Sequence, residues 1–211
     1  AEVAGLAARV LAAGTDFHLA NPRRSMLAAN RPVIAVTSAR AGAGKSPTVR
    51  YLAELLRSWG LRVAVVRHPL RVQGFTAGHE HTLARIDDVV VDACAAPSRE
   101  PFDGVPGVHV YTGLDFRAVG EAAGADADVV VWDGAGNDLP FLRPSLHIVV
   151  TDPLRGDETG DFFPGEVGLR MADVVLVSKC DAATPEQVAA AARTVGRLNP
   201  DAALLTAVVT F

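Results

Sequence analysis

The sequence predicts an α/β domain, a mostly parallel sheet with helices on both faces in three layers. Three observations predict it. From Ala35 onward short apolar runs alternate with amphipathic segments, the rhythm of strands joined by crossover helices. The first run, VIAVT (Val33–Thr37), passes straight into a glycine-rich turn, SARAGAGKSP (Ser38–Pro47), and then into a helical pattern. No apolar stretch approaches the roughly 18–20 residues needed to cross a bilayer, so the 49% of apolar residues is available for a core.

The elements follow in chain order. Val3–Ala13 has helical periodicity and stops at Gly14; residues 1–30 read as a lead-in or the tail of a preceding domain, and residues 31–211 as the main domain. Arg23 and Arg24 in this lead-in are either solvated charges or cations reaching the phosphates. After the first strand, Ser46–Trp59 is amphipathic, with Leu52, Leu55, Leu56 and Trp59 on one side and Gly60 as the stop. LRVAVVR (Leu61–Arg67) is a buried second strand ending in Arg67-His68-Pro69. Residues 70–106 carry no assignable pattern. GVHVYTG (107–113) reads as a strand, and Asp115 as the cap of a short helix through Ala123.

Asp128–Trp132 is the next strand, ending in DGAGND; His147–Val150 follows, and then the polar loop TDPLRGDETGDFFPGE. Asp173–Val177 runs into SKCD. Thr184-Pro185-Glu186-Gln187 has the form of a capping box, opening a helix to about Leu198, and Ala203–Val209 is a last strand.

The turn carries the chemistry. Strand, glycine-rich loop, Lys-Ser and helix together make a phosphate-binding loop. Gly42 and Gly44 allow the backbone to curl so that successive N–H groups face one anion, and the following helix adds its positive end. Residues Arg40, Ala41, Gly42, Ala43, Gly44, Lys45, Ser46 and Pro47 are the expected nucleotide contacts. Lys45 supplies a point charge to the β/γ-phosphates, the Ser46 hydroxyl is a ligand for Mg2+, and Pro47 suits a first helical turn. Ala39 stands where the full motif has glycine, which is tolerable if its φ is negative.

Asp133 ends an apolar strand and opens D-G-A-G. A carboxylate there can hold the Mg2+ water shell, making Lys45 and Asp133 the expected catalytic pair, with Gly136 placed to meet the γ-phosphate. Ser178-Lys179-Cys180-Asp181 has the form of a guanine-recognition motif with serine in place of Asn or Thr, so Lys179 and Asp181 are expected at the base and ATP against GTP stays open. Arg67 and His68 are the expected acceptor-binding residues, against the alternative of a solvated strand end. Asp138, Asp152 and Arg155 are rim candidates. His79, Glu80 and His81 share a metal only if they lie on a loop, and Cys94 and Cys180 have no zinc or disulfide spacing.

Charge is uneven. Residues 1–75 hold 11 Lys+Arg and 3 Asp+Glu, which suits a polyanionic small molecule near the loop and lacks the basic, aromatic-studded face of a nucleic-acid binder. Only two lysines occur, Lys45 and Lys179, both inside nucleotide motifs; elsewhere the chain uses arginine. The N-terminus has neither a signal pattern nor an initiator Met, so a cytoplasmic piece of a longer protein is expected.

Three segments carry a resemblance: VIAVTSARAGAGKSPTVRYLAELLRSWGLRVAVVRHP, VVVWDGAGNDLPFLRPSLHIVVTDPLR and FFPGEVGLRMADVVLVSKCD. Together with RVLAAGTDFHLANPRRSML they resemble the cyclic 2,3-diphosphoglycerate synthetase family and its bacterial relatives named as GTPases. The resemblance implies a P-loop NTPase fold and an ATP-driven ligase that closes a phosphoanhydride in 2,3-bisphosphoglycerate, with Gly44, Lys45, Ser46 and Asp133 on nucleotide and Mg2+ and Arg67-His68 near the acceptor. It also implies flanking regions before and after this chain. Ala39, Ala135 and the absence of a Glu-rich stretch in 76–106 depart from the family pattern. The expected partners are ATP or GTP and a small phosphorylated or carboxylate acceptor, with a homodimer left open and neither nucleic acid nor membrane. The rival readings are a GTPase switch or metallochaperone partner, and a fragment that binds nucleotide but is inert alone.

Overall fold

In the computed structural model the described residues are 2–67, 98–102, 104–113, 115–134, 138–154 and 163–208. The helices are α1 (Glu2–Ala12), α2 (Pro22–Ser25), α3 (Lys45–Ser58), α4 (Phe116–Asp126), α5 (Gly165–Met171) and α6 (Pro185–Leu198). The strands are β1 (Val33–Ser38), β2 (Val63–Arg67), β3 (Ser98–Pro101), β4 (His109–Thr112), β5 (Val129–Asp133), β6 (Leu146–Thr151), β7 (Val174–Val177) and β8 (Ala203–Thr206).

These strands form one sheet in the order β3-β4-β2-β5-β1-β6-β7-β8, parallel throughout except for the β3–β4 pair. β1 lies at the centre, with Val33 facing Val130 of β5 and Ile34 facing Leu146 of β6. Strands covered on both faces lose the polar half of the usual alternation, and β1 accordingly buries Val33, Ala35 and Val36 completely. On one face α3 packs Val49, Ala53 and Leu56 against Val36, Val65, Val131 and Val150. The other face receives α4, through Val119 and Ala123 against Ala35, Val130 and Trp132. Beyond it, α5 and α6 bring Leu169 and Val195 to Val149 and Val175.

Local chemistry fixes the helix ends. Asp115 Oδ1 accepts from the N–H groups of Arg117 and Ala118, both at 3.0 Å, and so caps α4. Thr184 and Gln187 form the reciprocal capping box of α6, with Thr184 N–H donating to Gln187 Oε1 at 2.9 Å. Before β1, Met26 is buried, and Leu27 N–H donates to the Phe141 carbonyl at 2.7 Å.

Three elements differ from the sequence reading. The last strand, β8, stops at Thr206, short of the expected Val209, while β5 ends on Asp133, which puts that carboxylate in the ladder beside Val36. α5 begins on Gly165 and Glu166, the last residues of the stretch read as a polar loop after β6, and runs on past it, and the unassigned 70–106 region contains β3. His68, the His79–Glu80–His81 group, Cys94, Ala135, Gly136, Arg155 and Val209 lie outside the described residues.

Candidate nucleotide site

The loop between β1 and α3 is held by its neighbours. Ala39, buried, donates its N–H to the Val150 carbonyl at 3.0 Å, and its φ is not positive, so alanine meets the condition set for it. Gly42 and Gly44 adopt φ +83° and +98°, conformations that glycine takes without strain. Alternation with Ala43, whose φ is not positive, is the backbone pattern of an anion-binding nest. α3 begins at Lys45, and Pro47 falls in its first turn.

The same loop is strapped to the turn after β7. Ser178 Oγ donates to the Ala43 carbonyl and lies 3.2 Å from that of Thr151. A Cβ on Gly44 would come within 3.1 Å of Ser178 Oγ. Lys179, the one non-glycine with positive φ among the described residues (+54°), donates from Nζ to the Gly42 carbonyl at 2.7 Å and to Asp152 Oδ2 at 2.6 Å. Asp152 is buried and its other oxygen accepts from Leu154 N–H at 2.8 Å. Both lysines of the chain therefore converge on one loop, Lys45 from within it and Lys179 from across it. Asp181 is exposed on the same turn.

On the loop's opposite flank stands Asp133, 1% exposed at the end of β5. Lys45 Nζ donates to its Oδ1. Arg67, at the end of the adjacent β2, donates to Oδ2 from Nε at 2.9 Å and Nη2 at 2.8 Å, and its guanidinium lies 5.7 Å from the Phe102 ring centroid. One buried carboxylate thus balances two cations. Ser46 is exposed, immediately after Lys45. A hydroxyl and a carboxylate are the hard oxygen donors that Mg2+ takes, so Ser46 and Asp133 fit that ion by chemistry.

These residues share the carboxyl ends of neighbouring parallel strands, where open α/β sheets bind ligands. Solved structures with a similar fold include an LAO/AO transport system kinase (TM-score 0.52, 16% identity, 89% of this chain and 55% of that one). HypB from Helicobacter pylori in complex with nickel is similar at TM-score 0.51 and 16% identity, over 98% of this chain and 85% of that one. The fold is that of the P-loop nucleoside triphosphatases.

Among curated relatives, this chain is 36% identical to arginine synthetase ArcE of Thermococcus kodakarensis over 204 residues, 96% of this chain and 46% of the relative. It is 31% identical to a tetraacyldisaccharide 4'-kinase of Geobacter sulfurreducens over 72% of this chain and 45% of that one. Cyclic 2,3-diphosphoglycerate synthetase of Pyrococcus furiosus is 23% identical over 81% of this chain and 37% of that one. No protein-family model matches. The chain spans about half the length, or less, of the curated relatives it matches.

Sequence reasoning missed several positioning contacts. Ser178 registered only as a departure from Asn/Thr, yet its hydroxyl is small enough to reach the loop carbonyl. Gly165 gave no signal at all: a Cβ there would lie 2.1 Å from the Ala39 carbonyl oxygen, so α5 begins directly against the phosphate loop. Phe102 lay in the unpatterned region. Arg23, weighed as a phosphate contact, lines a cavity with Asp173 at the other end of the strands.

Proposed function

We propose that this P-loop protein is the nucleotide-handling part of an ATP-driven synthetase that phosphorylates an acceptor oxygen and so prepares it for displacement. The observation that carries the reading is Asp133, buried beside the loop and shared between Lys45 and Arg67. Ser46 and Asp133 would hold Mg2+, which supplies charge neutralisation between the phosphates when bound. The loop N–H groups and Lys45 bind and orient the β/γ-phosphates, and the incoming anion offers Lys45 a second partner in place of Asp133. Arg67, at the end of the next strand, steers an anionic or carbonyl acceptor toward the γ-phosphorus. A new bond forms between acceptor oxygen and phosphorus as the β–γ bridge breaks, and ADP leaves. Catalysis is positioning and charge neutralisation.

The extent of the match to an arginine synthetase favours an amino-acid acceptor over the bisphosphoglycerate expected from sequence. If arginine forms from a ureido amino acid, an oxygen leaves the guanidino carbon, so the acceptor would be the ureido oxygen and the displacing nucleophile ammonia. Closure of 2,3-bisphosphoglycerate is the second member of the same reaction class. ADP release from Mg-ATP, with a ureido amino acid plus ammonium in one series and 2,3-bisphosphoglycerate in another, tests the proposal. Acceptor-stimulated release with a new product supports it; equal release with and without either acceptor contradicts it.

One observation favours a GTPase as the competing reading. Lys179 takes a left-handed conformation and clasps Gly42, leaving Asp181 exposed on the adjoining turn to face a base. That reading requires a GTP preference that Asp181→Asn abolishes, without any acceptor.

A further inference from the structure

A cavity lies at the end of the sheet away from the phosphate loop. It measures about 310 Å³ and sits where the segment before β1, the turn before β6 and the turn before β7 meet. Arg23, Arg143, His147 and Asp173 supply its polar lining, with Met26 and Met171 as apolar wall. β6 and β7 run parallel, and Arg143 and Asp173 precede them, so the cavity is at the amino ends of strands whose carboxyl ends carry the phosphate loop.

The charges here are not internally balanced. Among the described residues neither the Arg23 nor the Arg143 side chain has a hydrogen bond or ion pair, although Arg23 N–H donates to Asn21 Oδ1. Asp173, the one carboxylate of the lining, already accepts the His147 backbone N–H through Oδ2 at 2.7 Å. His147 itself is 1% exposed. Its Nε2 is 2.9 Å from Thr37 Oγ1, while Nδ1 has no hydrogen bond of normal geometry, although the Met171 carbonyl is close enough to bias the ring toward its charged form. Burial outweighs that bias and holds the imidazole pKa at about 4, so the ring is neutral at pH 7. The Nε2–Thr37 contact leaves Nδ1 near the Met171 carbonyl, without a hydrogen bond of normal geometry.

We propose that this cavity binds a small phosphate-bearing molecule, gripped by Arg23 and Arg143 with His147 on its floor. Guanidinium pairs match tetrahedral oxyanions through fixed, charge-assisted donors, and the volume is at the lower end of the range for small-ligand pockets. The two methionines leave room for a short organic remainder beside the anion. The site is independent of the nucleotide reading, since none of its residues belongs to the phosphate loop.

The test is a titration of the isotope-labelled full chain, following the histidine ring N–H signals, with inorganic phosphate and separately with glycerol 3-phosphate. The His147 signal is assigned by its loss in His147→Gln. A saturable His147 shift at millimolar ligand is expected, retained in Lys45→Ala and weakened at least about tenfold when Arg23→Ala and Arg143→Ala are combined. A response to both probes assigns recognition of phosphate itself, and a response to the ester alone assigns a phosphomonoester; either supports the site. No saturable shift with either probe, or undiminished affinity in the folded double variant, overturns it. Should the double variant melt, Arg143→Gln alone, at an exposed position, is read the same way.

Discussion

Lys45 at the head of α3 and Asp133 at the end of β5, 88 residues apart, form a direct ion pair. The pair is shielded from water, with side-chain exposures of 12% and 2%. On the proposed function, a triphosphate entering the loop would compete with a carboxylate for the same ammonium, while Arg67 holds that carboxylate from the other side.

Asp133→Asn and Lys45→Ala should therefore differ in stability. Removing the carboxylate leaves two cations facing each other, at a cost of about 3 kcal/mol. Removing the ammonium leaves Asp133 paired to Arg67 and costs less. Urea unfolding of the two variants checks the order, and the reverse order would mean that Arg67 does not neutralise Asp133.

Arg67→Lys should lower acceptor-stimulated turnover about tenfold or more while nucleotide affinity stays near that of the native chain. A lysine cannot place two N–H donors on Asp133 Oδ2 or lie flat near Phe102. Steady-state kinetics against acceptor, with nucleotide titration alongside, separates these effects.

Gly44→Ala should disable the loop and leave the sheet intact. The substitution meets both a φ of +98° and a 3.1 Å approach to Ser178 Oγ, and strain of this kind is typically about 1–3 kcal/mol. Nucleotide affinity is expected to fall about tenfold or more with an unchanged far-UV spectrum. Pairing it with Ser178→Ala relieves the approach but not the φ, so only partial recovery is expected.

His147 makes the fold acid-sensitive. Its folded pKa of about 4 lies below the ordinary value of 6.5, chiefly because the ring is buried, so the unfolded chain takes up the proton first. Stability is fully present above about pH 6.5, falls as pH drops toward 4 and loses nothing further to this group below that. The size is on the order of 3 kcal/mol. His147→Gln should flatten that part of the profile in pH-dependent unfolding; an unchanged slope would place its origin in other groups.

The fold was legible because its information is local. β1, β2, β5, β6 and β7 are apolar runs bounded by turn residues, α6 has its capping box and α3 its glycine stop. β3 was not, since Ser-Arg-Glu-Pro at an antiparallel edge has no apolar alternation to read. α5, seven residues with two glycines, has too little periodicity to register. In the site, Lys45, Ser46 and Asp133 sit at positions a short motif can name. The contacts of Ser178, Gly165 and Arg67 depend on which strands become neighbours, and that order is a property of the sheet as a whole. The scarcity of lysine was the exception: a whole-chain count pointed to two residues that meet at one loop.

The central claim is that the loop from Ala39 to Ser46 holds a nucleoside triphosphate through Lys45. Calorimetric titration of the chain with Mg-ATP and with Mg-GTP measures it directly. The account predicts saturable one-site binding of at least one of them, weakened about a hundredfold or more by Lys45→Ala in a folded variant, a loss of about 2.7 kcal/mol. Absence of binding to either nucleotide, or equal affinity with and without the ammonium, would contradict it.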